Sequence, residues 1–217
     1  MSRLIAFGCS FTYGHGLEDC IVFPHDPGPV ASKTAWPNSL GKLLKVDEII
    51  NQSLPGASNK LIWKTIVDFN FKQDDLVFIN WTDFNRHCFF RNNIEKATGA
   101  GFYDDLHIGS WIKDKSSKSY YKYLYSELDS TLEFLNRADH SKRYLDSLNI
   151  KNFHTIQVYD LDRNALTIPK WASVNLLKPN MSTISALHPK ALDNSHPGQL
   201  AHDQFANDLY LEIKEMR

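Results

Sequence analysis

The sequence predicts an α/β protein built on a doubly wound parallel sheet, and three observations carry that prediction. Short apolar or strand-like runs at residues 4–7, 48–52 and 76–79 have the length of buried strands. Each run ends in a polar loop. Helical periodicity returns between one run and the next, and strands joined through helices demand right-handed parallel crossovers. The loops after Gly8, Gln52 and Ile79 must then open together at the carboxyl edge of the sheet, where open α/β sheets hold their ligands.

The first run, LIAF, is punctuated by Gly8, and Ser10 follows two residues later, ahead of an irregular TYGHG loop. Residues 23–37 carry four prolines and read as irregular surface chain. Pro37 opens a helix through Leu40, Leu43 and Leu44. The strand EIINQ runs into SLPGASN, where Pro55 and Gly56 force a turn and Ser58 caps the next helix. In that helix Leu61, Ile62, Thr65, Ile66 and Phe69 repeat at helical spacing, and Asp74-Asp75 is expected to close it before the strand LVFI. Between residues 83 and 119 no period holds, and a loop of that length reads as an insertion or lid. Residues 123–148 read as one long helix on a stripe of Leu124, Leu128, Leu132 and Leu135. A fourth strand is expected at 153–158, irregular chain at 159–198, and a last amphipathic helix at about 199–216 built on Phe205, Leu209 and Ile213. No internal repeat or linker divides the 217 residues, which are enough for one domain with a substantial core.

Composition narrows the function. Lys and Arg number 24 against 25 Asp and Glu, a net charge of −1 with no basic block, which argues against nucleic acid as a partner. Cys9, Cys20 and Cys88 show no CxxC spacing, so neither a disulfide framework nor a zinc site is expected. The amino-terminal apolar run is too short for a signal peptide or a membrane span, and the expectation is a soluble protein, cytoplasmic where it is made.

Two stretches can carry chemistry. A serine just past the first strand exposes its hydroxyl in a turn whose backbone N–H groups suit an oxyanion hole, although the same turn would serve with Ser10 as a helix cap. Near the carboxyl terminus, LDNSHPGQ sets Asp193 and His196 three residues apart before Pro197 and Gly198. A carboxylate at that spacing can hold one imidazole nitrogen and leave the other facing a nucleophile. The alternative is the start of a helix, with Asp193 as cap and His196 solvated.

Taken together, these blocks resemble the SGNH (GDSL-like) hydrolase family. GCSFTYG stands where that family has its GDS block, LPGASN matches the second block, and DNSH matches the DxxH block, in the family's order and across nearly the whole chain. The resemblance implies a three-layer α/β/α fold with a parallel sheet of about five strands, the fifth expected near residues 172–177. It implies Ser10 as nucleophile, Asp193 and His196 as the other triad members, and Ser10 and Gly56 as backbone oxyanion donors. Two positions depart from the pattern. Cys9 replaces the aspartate of GDS, which is not itself a chemical position. The family's GxND block reads NWTD here, with Asn80 at the glycine position and Thr82 at the asparagine position. A threonine hydroxyl donates one hydrogen bond but is shorter than an asparagine amide; Asn59, Asn80 or Arg86 could substitute for it.

The implied activity is serine ester hydrolysis with no metal or cofactor, on a small-molecule or carbohydrate ester, with short acyl groups favoured. His15, His25, His87, His107, His140, His154, His188 and His202 show no HxH or HxxxH pattern with a third ligand, and read as surface or hydrogen-bonded residues. Arg86 and Arg91 flank the active edge and can hold an anionic group or simply face solvent. The aromatic residues between Trp81 and Trp111 suit a sugar, an acyl chain or the packing of a lid. The alternative function, motivated by Thr82 and the 83–119 insertion, is a weakly active or inactive binding or structural module of this fold. The compact layout also resembles SGNH-like proteins encoded by bacteriophages, in which such a module would belong to the particle.

Overall fold

The structure, a computed structural model, describes residues 2–22, 26–90, 105–157 and 169–216. Strand β1 (Arg3–Phe7) and the one-turn helix α1 (Ser10–Tyr13) lead to a two-residue ladder of β2 (Ile21–Val22) and β3 (Asp26–Pro27). Then come α2 (Trp36–Leu44), β4 (Glu48–Asn51), α3 (Asn59–Asp68) and β5 (Asp75–Trp81). An antiparallel pair, β6 (His87–Phe90) and β7 (Asp105–Ile108), precedes α4 (Lys115–Tyr123), α5 (Glu127–Ser147), β8 (Lys151–Ile156), α6 (Met181–Ala186) and α7 (Gln199–Glu215).

The central sheet has four parallel strands in the order β4-β1-β5-β8. A chain that winds first one way from β1 and then the other puts its crossover helices on opposite faces. Helix α2 accordingly packs on α7, and α3 packs on α5. Alternation along β5 serves both layers: Phe78 meets Trp36 of α2 edge-on, while Trp81 meets Phe134 of α5. Phe7 and Phe78 are almost wholly buried, and the core runs from Leu4 to Ile213. At the amino edge, Arg3 and Asp75 stand opposite each other in register and form a two-pronged ion pair of 2.7 and 2.6 Å.

The winding direction reverses between β1 and β5, so a crevice opens there at the carboxyl edge. The loops carrying Ser10 and Thr82 leave the sheet at that point.

Several elements differ from expectation. The fifth strand is reduced to one parallel bridge between His154 and Leu176, with the Leu177 N–H donating to His154 O at 2.8 Å. Helix α3 stops at Asp68, and Asp75 opens β5 instead of closing the helix, because its carboxylate is drawn to Arg3 and the Lys72 N–H. The long helix expected at 123–148 is α5, which starts later than expected at a cap by Ser126, whose hydroxyl accepts the Asp129 N–H with Glu127 and Asp129 in the first turn; α4 precedes it as a separate helix. That cap lies under a continuous leucine stripe, which hides it. Only part of the stripe faces the core: Leu124 and Leu128 are each 70% exposed, whereas Leu135 is buried together with Phe134, Ala138 and Leu145. The proline-rich stretch carries β3, paired with β2 just before it, and the insertion carries β6 and β7. His25, Arg91, Phe102, Tyr103 and the Val158 end of the expected fourth strand lie outside the described residues.

Candidate active site

Ser10 is the first residue of α1, and the cap position before it is Cys9, which makes no side-chain cap. Ser10 is therefore not the helix cap, and among the described residues its hydroxyl has no side-chain hydrogen bond. Cys9 is fully buried and donates to Gln157 Oε1 at 3.2 Å, so it packs behind the serine. The α1 turn is tied to two strand ends: Asn51 Nδ2 donates to Thr12 O at 2.7 Å, and Asn80 Nδ2 donates to Thr12 Oγ1 at 3.3 Å.

The loop before α7 is built around one carboxylate. Asp193 Oδ1 accepts the N–H groups of Ser195 and His196, each at 3.0 Å, which folds the loop back on itself with Asn194 in the left-handed region at φ 58°. Asp193 Oδ2 then takes the His196 Nδ1 position and the Ser195 hydroxyl. The loop is fastened to the segment after α1 through the Leu192 N–H, which donates to Gly16 O at 3.0 Å. Gly16 sits at φ 88°, and a Cβ there would stand 2.8 Å from Asp193 Oδ1, so glycine is required both by conformation and by the closeness of the aspartate.

His196 is thereby held against α1. Phe11 meets its ring edge-on with centroids 5.8 Å apart. His15, whose N–H donates to Ser10 O, stacks on it at 4.1 Å with planes 30° from parallel. Nε2 of His15 also lies 4.0 Å from Asp193 Oδ2. Motif spacing groups His15 with the surface histidines; the TYGHG loop folds it into the site instead, and only its proximity to Ser10 in the chain hints at that. His15, Asp193 and His196 bring candidate ligand atoms within 4.8 Å of one another.

Electrostatics follow from this packing. Burial alone would raise the Asp193 carboxyl, but the N–H groups of His196 and Ser195 and the His196 ring outweigh it and hold the group well below the usual carboxylate range. An Asp193 carboxylate alone favours a raised His196 pKa. In the fold the net direction is downward, because burial, the neighbouring His15 and Arg86 together exceed the pull of Asp193.

At the β5 end, Asn59 clamps the backbone of Thr82: its Nδ2 donates to Thr82 O at 3.0 Å and its Oδ1 accepts the Thr82 N–H at 2.8 Å. Asn80 is fully buried, with its amide shared between Thr12 and Thr155. Both asparagines are thus engaged in holding the loops. The Thr82 hydroxyl is sealed from solvent and has no hydrogen-bond partner among the described residues. Gly56 adopts φ 76°, and open space surrounds the position of its missing side chain. Arg86 lies close enough to influence His196 and rests over the Trp111 ring at 4.7 Å.

No protein-family model matches the sequence, and no curated protein does. Solved structures do match. A protein described as lipolytic and of the G-D-S-L family from Desulfitobacterium hafniense is 14% identical, with TM-score 0.53 over 96% of this chain and 98% of its own. An acetyl xylan esterase from Butyrivibrio proteoclasticus is 14% identical, with TM-score 0.59 over 99% of this chain and 64% of its own. The esterase EstA from Pseudoalteromonas sp. is 11% identical, with TM-score 0.54 over 99% of this chain and 97% of its own. None of these three is a bacteriophage protein, so the bacteriophage resemblance gains no support. Among the described residues no helix is long and apolar enough to cross a membrane. The chain has the fold of the G-D-S-L (SGNH) esterases.

Proposed function

We propose that the chain is a serine ester hydrolase with Ser10, His196 and Asp193 as its triad. The observation that carries this reading is the Asp193–His196 pair, hydrogen-bonded at Nδ1 and packed against the helix that Ser10 opens. In the reaction, Ser10 Oγ attacks the acyl carbonyl while His196 Nε2 accepts its proton; Asp193 keeps Nδ1 protonated and stabilises the imidazolium. The proton then passes to the leaving alkoxide, and an acyl-serine remains. Water, deprotonated by the same imidazole, attacks that ester and releases the acid and free Ser10. The backbone N–H groups of Ser10 and Gly56 face the oxyanion. Thr82 is the remaining side-chain donor, since Asn59 and Asn80 are committed elsewhere and its own hydroxyl lacks an acceptor; because that hydroxyl is sealed, it serves only if the loop turns it into the crevice. Arg86 sits at the rim as a substrate-binding group. The acetyl xylan esterase among the structural neighbours supports short acyl groups on carbohydrate as the substrate class.

A fluorophosphonate probe tests the nucleophile. It is expected to label the parent at Ser10 and to leave Ser10→Ala unlabelled, with p-nitrophenyl acetate turnover lost in parallel. Equal labelling of both proteins would move the nucleophile elsewhere. A parent that is neither labelled nor active would favour a binding or structural module on the same fold.

A further inference from the structure

Residues 84–89 after β5, together with α3, α4 and α5, line a pocket of about 260 Å³. That volume is below the ~300–1,000 Å³ usual for drug-sized ligands, so it suits a single ring better than an extended chain. Asn59 lines this wall and also clamps the Thr82 backbone through two hydrogen bonds, which joins the pocket to the loop at the carboxyl end of β5.

The chemistry of the wall is specific. Lys60 Nζ stands 5.7 Å from the Phe89 ring centroid and 5.0 Å from that of Phe90, and Arg86 lies over Trp111. Neither cation forms an ion pair among the described residues. Cations seated on aromatic faces are held in place without being neutralised, so each keeps its donors for an incoming anion. The acids on the wall cancel them only in part. Glu133 is bound by Arg137 at 2.9 Å and is held below the usual carboxylate range first of all by that bond, with the Lys60 charge a smaller contribution. Asp129 stands in the first turn of α5, where the helix dipole partly offsets its charge. Tyr120 and Phe89 add aromatic surface on which the C–H face of a sugar ring can lie. Asp129 supplies an acceptor for ring hydroxyls, while the Ser130 hydroxyl is already shared with His87 Nε2 at 3.4 Å. A long acyl chain has no place on a wall this charged.

We infer that this pocket binds a carboxylate-bearing sugar unit through Lys60 and Arg86. Its role as the subsite for the alcohol part of an O-acylated acidic glycan rests on the hydrolase reading above. The ring lies on the aromatic wall, its carboxylate meets the two cations, and an acyl group on a neighbouring hydroxyl reaches toward Ser10.

The test separates the two readings by measuring binding alone. D-glucuronate, D-glucose and inorganic phosphate are titrated into Ser10→Ala by calorimetry or by chemical-shift perturbation. Glucuronate is expected to bind about tenfold or more tightly than either of the others. Lys60→Gln in that background should erase the preference over glucose, and Lys60→Arg should restore it. Equal binding of glucuronate and glucose would overturn the inference, as would phosphate binding as tightly as glucuronate or a preference that survives Lys60→Gln. If the parent fails to turn over p-nitrophenyl acetate while the Lys60-dependent preference holds, the hydrolase reading falls and the sugar-acid pocket stands.

Discussion

His15 lies face to face on His196, ring centroids 4.1 Å apart, and both rings approach the Asp193 carboxylate. One carboxylate thus stands beside two imidazoles, and in the proposed reaction the proton gained by His196 arrives beside a second ring. That neighbour and the burial of the site oppose the charged form of His196, while Asp193 favours it.

The acid limb of kcat/KM for p-nitrophenyl acetate should therefore fall below the ~6.5 of a free imidazole, since the proposed mechanism needs neutral His196 and its pKa is lowered. His15→Phe keeps a stacked ring but removes the basic neighbour, so the limb should move to higher pH. An unchanged limb in that variant would exclude His15 from setting the protonation of His196.

Thr82 offers a trade between stability and rate. Its hydroxyl is buried without a partner among the described residues, a state that costs about 1–3 kcal/mol. Thr82→Val should raise unfolding stability by up to roughly that amount. If the hydroxyl meets the oxyanion, the same change should lower kcat about 10²–10³-fold with little effect on KM. Paired denaturation and steady-state measurements check both signs. A stabilised variant with unchanged kcat would leave Thr82 as packing only.

The Arg3–Asp75 pair ties the first residues of β1 and β5, and its side chains are 8% and 1% exposed. Asp75→Asn leaves the guanidinium covered without a counter-charge. Breaking a covered pair costs about 3–5 kcal/mol, and the position at the sheet rim puts this one near ~3 kcal/mol. Urea unfolding should show that loss, with the Arg3→Met/Asp75→Leu double variant recovering most of it.

Acid should unfold this protein earlier than its carboxylates alone would require. His154 and His202 are wholly buried, and burial first of all pushes each down to about 3. The unfolded chain binds protons near ~6.5 that the folded chain refuses, so stability falls as pH drops from there toward about 3. Well inside that window the two sites contribute about 2.7 kcal/mol per pH unit. His87 and His196 are lowered as well and act in the same sense. His202→Asn should remove about half of the two-site slope. Its amide oxygen can still accept the Trp36 N–H that His202 Nδ1 accepts at 3.1 Å. Urea titrations between about pH 7 and 5 measure the slope, and an unaltered slope would show that His202 does not carry it.

By itself the sequence determined the winding of the sheet, because apolar runs at 4–7, 48–52 and 76–79 alternate with helical periods and leave parallel crossovers as the only connection. It also determined which short blocks could meet, since residues at strand ends must share one edge. The Ser58 cap was legible because it is local: its hydroxyl acts on Leu61, three residues away. Contacts between distant parts of the chain were not legible. The leucine stripe at 124, 128, 132 and 135 has the spacing of a buried face, yet only packing decides which face of a helix meets the core: Leu135 is buried beside Phe134 and Ala138, while Leu124, Leu128 and Leu132 stay exposed. Asn59 and Asn80 look like free donors in the chain, and the fold commits both to the loops that carry Thr82 and Thr12. His15 became part of the site because the Gly16–Leu192 contact closes two loops from opposite ends of the chain onto one carboxylate. The same closure reversed the expected direction for His196: spacing showed the partner that raises its pKa, and only the tertiary structure supplied the burial that lowers it.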